Sequence, residues 1–174
     1  MTARYAIGVD LSYTATGIAW PGAVDTFHTK PTDGDLIERG INIAAHVCAH
    51  ARDAHLIVIE GGVTRSPAAF DSGMLHGVIL MSLRATLLPH HHDRIVMVPP
   101  AVLKKYMTGK GNADKTAVII AARERLGYDG MDDNEADALG LRAIGHHLLG
   151  DPLCVMPKAH VAVLEKLDYP NGDT

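Results

Sequence analysis

The sequence predicts an α/β protein built on a mixed five-stranded sheet, three antiparallel strands then two parallel ones, with helices on both faces. Three observations predict it. Residues 5–28 hold three short strand-like segments at hairpin spacing. Residues 55–60, His-Leu-Ile-Val-Ile-Glu, form a short continuous aliphatic run of the kind buried on both faces in a parallel sheet. Helix-period segments then alternate with the remaining strands, as parallel pairing requires. With 174 residues, 47% hydrophobic and 21% charged, the chain is long and apolar enough for one core. The expected organisation is a single domain over residues 1–174, with its core at about 4–150 and a tail at 151–174.

Each element has a local reason. Residues 5–12 alternate: Tyr5, Ile7, Val9 and Leu11 share one face, and Ala6, Gly8 and Asp10 the other. That strand carries one acid on a face of small residues. Residues 16–20 read as a second strand after the short link 13–15, Pro21-Gly22 as a turn, and 24–28 as a third strand. Asp33 or Asp35 can cap a helix to about Arg52, apolar at Ile37, Ile41, Ala44 and Cys48. After the strand ending in Glu60, residues 61–67 form a loop, and Ser72 can cap a helix to about Leu88. That helix is apolar nearly all round, so it needs cover from the sheet and from a second subunit. Residues 94–98 make the fifth strand, which Pro99-Pro100 stops while opening a short helix. Asn112 can cap a helix that ends at Gly127, and a last helix runs from Asp132 or Asp133 to about Leu149. The tail from Pro157 carries no clear period.

Composition removes several classes. No apolar run reaches the roughly 18 residues of a membrane span, so no membrane partner is expected. Aromatic residues, at 5%, are too few for a base-stacking platform across the sheet. Cys48 and Cys154 sit in apolar stretches and read as buried reduced thiols. The N-terminus runs into the first strand without a secretory pattern, which predicts a cytoplasmic protein. The formal charge of −4 hides an asymmetry: residues 94–128 hold seven Lys and Arg against two acids, Asp114 and Glu124. A basic segment on an acidic body suggests a local polyanion footprint.

The informative residues are acids in apolar places. Asp10 interrupts an apolar or small-residue strand, and Glu60 ends a run of four aliphatics. Asp133 and Asp137 stand one helical turn apart, the second beside core-facing positions. No Lys or Arg lies between Val9 and Gly22 or between Leu126 and Leu141 to pair with them locally. Two carboxylates brought to ~4 Å repel by about 4 kcal/mol at an effective dielectric of 20. A divalent cation relieves that repulsion, and an all-oxygen site suits Mg²⁺ or Mn²⁺ better than zinc.

These residues carry a resemblance. Ile7-Gly8-Val9-Asp10-Leu11-Ser12 followed by Thr16-Gly17-Ile18-Ala19 resembles the first hairpin of RuvC-type Holliday junction resolvases of the RNase H-like superfamily. Ile57-Val58-Ile59-Glu60 resembles their glutamate strand. Residues 98–105 and 109–115 are similar to their lysine-bearing segment, and Asn134-Glu135-Ala136-Asp137-Ala138-Leu139 to their acidic C-terminal helix. The resemblance implies an RNase H-like fold and a homodimeric endonuclease that nicks four-way DNA junctions in pairs, with two Mg²⁺ (or Mn²⁺) ions per active site and no nucleotide cofactor. Asp10, Glu60 and Asp137 match ligand positions. The usual acid or His three residues before the last Asp is replaced by Asn134, so the fourth ligand is either Asp133, which is favoured, or the Asn134 amide oxygen. Lys104 and Lys115 match the two lysines of the family, Lys115 near the scissile phosphate. Lys105, Lys110 and Arg65 join them as expected DNA contacts.

Other residues have plainer readings. His90-His91-His92 reads as a solvated turn, His76 as a core-edge residue, and His146-His147 as imidazolium favoured by a helix C-terminus. Phe70 either wedges into a junction or packs in the core, the latter being the ordinary outcome. The competing functional readings are an actin-like ATP-binding module, for which the chain is too short, a catalytically silent junction binder, and an RNase H-like nuclease for RNA–DNA hybrids or flaps.

Overall fold

The computed structural model describes residues 4–62, 69–87 and 94–169. Its strands are β1 (Ala6–Asp10), β2 (Ala15–Trp20), β3 (Ala23–His28), β4 (Leu56–Glu60) and β5 (Ile95–Val98). Its helices are α1 (Leu36–Ala51), α2 (Ala69–Thr86), α3 (Pro100–Thr108), α4 (Lys115–Leu126), α5 (Asp133–Leu148) and the short α6 (Lys158–Val161). The strands form one sheet in the order β3-β2-β1-β4-β5. The β1–β2 and β2–β3 pairs are antiparallel, and β1–β4 and β4–β5 parallel. The expected sheet is present with its three antiparallel and two parallel members.

Strand alternation splits the core in two. Ile7, Val9, Ile18, Ile57 and Ile59 face α1 and α2, packing on Ile43, Val47, Leu75, Ile79 and Leu83. Ala6, Leu56, Val58, Val96 and Val98 face the other way, onto Leu103, Tyr106, Leu141 and Ile144 of α3 and α5. Asp10 and Glu60 share the phase of this second set, so both point to the α5 side.

Glycine lets α5 lie unusually low on the sheet. A Cβ on Gly8 would fall 2.0 Å from the Ala138 carbonyl oxygen, and one on Gly17 2.1 Å from that of Asn134. At the far end a Cβ on Gly145 would fall 2.5 Å from the Ala6 side chain. Gly8 and Gly17 thus set helix backbone against strand backbone, a recognised use of glycine inside a strand.

Several local expectations are corrected. The fourth helix is capped by Asp114, whose carboxylate accepts the Ala117 N–H at 2.8 Å, and not by Asn112. α2 begins at Ala69, three residues before Ser72. The described part of the tail holds α6 and a 3₁₀ turn over Ala162–Lys166, and it buries Val163 and Leu164 against the α3–α5 core. Phe70 is 79% exposed, so it packs in no core; α2 turns Leu75, Ile79 and Leu83 inward and leaves Phe70 and Met81 outside. Cys48 and Cys154 are free but half-buried. His146 is buried, and its Nε2 accepts the Ala6 N–H at 3.4 Å. Burial pushes its pKa down, so it is a neutral strut and not the dipole-stabilised cation expected from its position. No described helix is long and apolar enough to cross a membrane.

Candidate active site

Topology brings the acids together. β1 and β4 run parallel with Val9 opposite Ile59, so Asp10 and Glu60, the next residues along, end neighbouring strands on one face. Over them lies the first turn and a half of α5, which starts at Asp133 because Asp132 caps it, accepting the Asn134 N–H at 2.8 Å and the Glu135 N–H at 3.3 Å. Gly17 pairs with Asp10 across the β1–β2 ladder, and its missing side chain admits the Asn134 carbonyl. Asp137, one turn further on, is thereby held above the Asp10–Glu60 pair.

The electrostatics report how closely they meet. Asp10 and Glu60 share a side-chain hydrogen bond. Burial, then the charges of Glu60 and Asp137, push the Asp10 carboxyl well above the usual carboxylate range. Burial, then the charges of Glu60 and Asp133, push Asp137 up to about 7. Burial raises Glu60 as well, against the pull of its hydrogen bond to Asp10 and of Lys104, His76 and Lys115. Strongly perturbed carboxyls crowded together mark a functional site.

Two lysines face the cluster. Lys115, the first residue of α4, forms an ion pair with Asp133, the first residue of α5. Its charge is also felt by Glu60 and Asp137. Lys104 on α3 acts on the same two acids. Lys105 and Lys110 are exposed, and no contact brings them to the acids. Arg65 and His90-His91-His92 lie outside the described residues. Asp133, not Asn134, adds its charge to Asp10 and Asp137. The Asn134 amide nitrogen is tied back to Asp132 at 2.9 Å.

Sequence reasoning passed over three contributors, His76, Gly8 and Gly17. His76 of α2 sets Nε2 at 2.8 Å from the Glu60 carbonyl oxygen and Nδ1 at 2.7 Å from that of Ser72, pinning the end of β4 to α2. Its sequence neighbourhood carries no sign of this, since Glu60 lies sixteen residues away. Gly8 and Gly17 did carry one: glycine inside a strand signals close backbone approach.

Among the described residues, no three His, Cys, Asp or Glu side chains already form a metal-ready group. The donors nonetheless fit a hard divalent cation in chemistry, since all are carboxylate oxygens, and burial and then mutual repulsion raise the Asp10 and Asp137 carboxyls. A cavity of about 310 Å³ opens beside this end of β1, lined in part by Ser12, Thr14, Asp71 and Ser72.

A sheet ordered 3-2-1-4-5, with acids at the ends of its two central strands and on the helix above them, is an RNase H-like architecture. Comparison with known proteins finds the same fold in RuvC proteins. RuvC of Thermus thermophilus superposes with a TM-score of 0.63 over 86% of this chain and 99% of its own, at 20% identity. RuvC of the same organism in complex with a Holliday junction substrate superposes with a TM-score of 0.62 over 88% and 100%, at 21% identity. In sequence, 91 residues are 29% identical to the crossover junction endodeoxyribonuclease RuvC of Rhodopirellula baltica. That match spans 51% of this chain and 48% of the relative, about half of each. No family model matches the chain.

Proposed function

We propose that this protein is a metal-dependent endonuclease that resolves four-way DNA junctions by paired nicks, acting as a homodimer. The observation that carries the reading is the meeting of Asp10, Glu60 and Asp137 with Lys115 at one end of the central strands. Such a site has little use for a neutral substrate and suits a phosphodiester approached with divalent cations. The likeness to RuvC proteins supports DNA junctions as the substrate class.

Asp10, Glu60 and Asp137, with Asp133 as the fourth ligand, would hold two Mg²⁺ or Mn²⁺ ions. When bound, those ions supply activated water and charge neutralisation for an in-line displacement at phosphorus. The protein's residues do the rest. Asp10 and Glu60 would bind as carboxylates, the cation offsetting the charge that burial disfavours in both. Lys115 leaves Asp133 to offset charge on the phosphate, worth more in a partly dehydrated site than in water. Lys104 places a second cation on the substrate side of the cluster, while Lys105 and Lys110 extend the contact along the backbone. The outward apolar residues of α2, among them Met81 at 74% exposure, supply the face for a second copy.

The test is cleavage of a synthetic four-way junction, beside a linear duplex and an RNA–DNA hybrid, in Mg²⁺ and in chelator. Symmetrical Mg²⁺-dependent nicks in the junction, lost in Asp10→Asn with binding retained, are expected. Full activity of Asp10→Asn would overturn the site; preference for the hybrid would reassign the substrate.

A further inference from the structure

Arg142 of α5 is a half-buried cation that no described carboxylate pairs with. Its Nε is closed off from solvent and meets no hydrogen-bond acceptor. Among the described residues no ion pair involves Arg142, so no described carboxylate holds it. Burial alone lowers its pKa; no acid's charge registers on it. An uncompensated charge in such a place costs stability, which makes it conspicuous.

Arg142 lines a cavity of about 240 Å³ together with Val24, Leu139, Tyr128 and Asp129. Gly22 and Gly127 also line it, and a Cβ on either would meet nothing within 4 Å, so this side is open. The volume lies under the ~300–1,000 Å³ usual for drug-sized ligands and suits a small anionic group. The exposed Asp129 is the single acid in the lining, and solvent screens its repulsion of an incoming anion.

The sheet register locates this cavity relative to the acids. Asp10 pairs with Gly17, while Gly8 pairs with Ala19 and Ala19 with Val24. Val24 is therefore two residues along and two strands across from Asp10, about 12 Å at ordinary strand spacings. It lies on the same face of the sheet as the acids, under α5. A DNA strand rises about 3.4 Å per nucleotide, so one backbone can reach both places.

We propose that the Arg142 cavity binds a backbone phosphate of the DNA a few nucleotides from the bond presented to the acids. The proposal rests on the nuclease reading for its ligand, DNA, but not for its anion chemistry. Occupation gives the terminal nitrogens of the guanidinium, whose planar fork matches phosphate oxygens, an anionic partner. It also fixes the register of the strand relative to Asp10, Glu60 and Asp137.

Two measurements on the full chain test it, using wild type, Arg142→Gln and Arg142→Lys. The first is thermal unfolding in inorganic phosphate against chloride at matched ionic strength. Phosphate is expected to raise the Tm of wild type and not that of Arg142→Gln. The Tm of Arg142→Gln without phosphate should be no lower than wild type's, because no bond is lost; a clear fall would overturn the premise that the guanidinium is unpartnered. The second is junction affinity across salt concentrations, with Ca²⁺ replacing Mg²⁺. Arg142→Gln is expected to flatten the slope of log K against log salt by about 1 per subunit engaged, and Arg142→Lys to restore it. A phosphate response with an unchanged slope would assign the cavity to another anion, such as a carboxylate, and overturn the DNA role. No response in either measurement would overturn the site altogether. Wild type that binds no junction would sink the nuclease reading, while the phosphate measurement still decides whether the cavity takes an anion.

Discussion

Gly8 of β1 lies directly beneath Ala138 of α5, with room for a hydrogen and for nothing larger: a Cβ would stand 2.0 Å from the Ala138 carbonyl oxygen and 2.4 Å from the Arg142 nitrogen. The atoms struck are backbone, so no side chain can swing aside. This contact sets the height of α5 over the sheet, and with it the distance from Asp137 to Asp10 and Glu60.

Gly8→Ala should therefore damage both stability and chemistry. Overpacking a tight core costs about 1–3 kcal/mol, sometimes more, and a clash with backbone belongs at the upper end. Urea unfolding should show that loss, and junction cleavage should fall by more than the remaining folded fraction explains, because Asp137 is lifted away. Gly22→Ala serves as the control for removing a glycine at an uncrowded position, although its positive φ of 85° carries its own small strain.

Metal-free stability should depend on pH through Asp10 and Asp137. Both carboxyls are raised in the folded chain. Below about pH 4 they are protonated whether folded or not, and no penalty exists. As pH climbs from there through the folded value of about 7 for Asp137, the unfolded chain releases protons more readily, and stability drains away. Asp137→Asn removes that term. In chelator its advantage over wild type should grow between pH 5 and pH 8, reaching a few kcal/mol. Mg²⁺ at pH 8 should raise the Tm of wild type and cancel the advantage. A variant difference that ignores pH would mean the acids are not crowded.

Lys115→Met should separate catalysis from folding. Lys115 is solvent-exposed and its ion pair with Asp133 is a surface contact, worth ~0–1 kcal/mol. Unfolding should barely change. Cleavage of bound junction under single-turnover conditions should drop by roughly 10²-fold, the scale of removing one charge-stabilising donor. Lys105→Met, whose side chain is brought to no acid, should leave that single-turnover rate near wild type while weakening binding. Equal losses in the two variants would deny Lys115 its separate role.

His76→Phe should loosen the end of β4. The ring loses both contacts, to the Glu60 and Ser72 carbonyl oxygens, and an unsatisfied buried acceptor costs ~1–3 kcal/mol. Amide hydrogen exchange should quicken at Gly61 and Gly62, and the Mg²⁺ concentration for half-maximal cleavage should rise. Unchanged exchange would mean that another contact pins the strand.

What could be read from the one-dimensional chain followed from local rules. Alternation in residues 5–12 and the aliphatic run before Glu60 announced strands, because side-chain period and burial are written into neighbouring positions. The acids stood out because a carboxyl among aliphatics needs a distant partner. Legibility failed where the decisive neighbour is remote. Arg142 looks like any helical arginine until the fold withholds a carboxylate from it. His146 looks like a dipole-friendly cation until Ala6, 140 residues away, donates to it and burial keeps it neutral. Sequence favoured Asp133 over Asn134 only narrowly. In the fold Asp132 binds the Asn134 amide nitrogen, and Asp133 stands beside Lys115. The sequence alone determined which acids stand among apolar residues and that three antiparallel strands precede two parallel ones, since both rest on pattern. Only the tertiary structure decided how close those acids come, because that depends on helix and strand backbones meeting over glycines, a contact between segments more than a hundred residues apart.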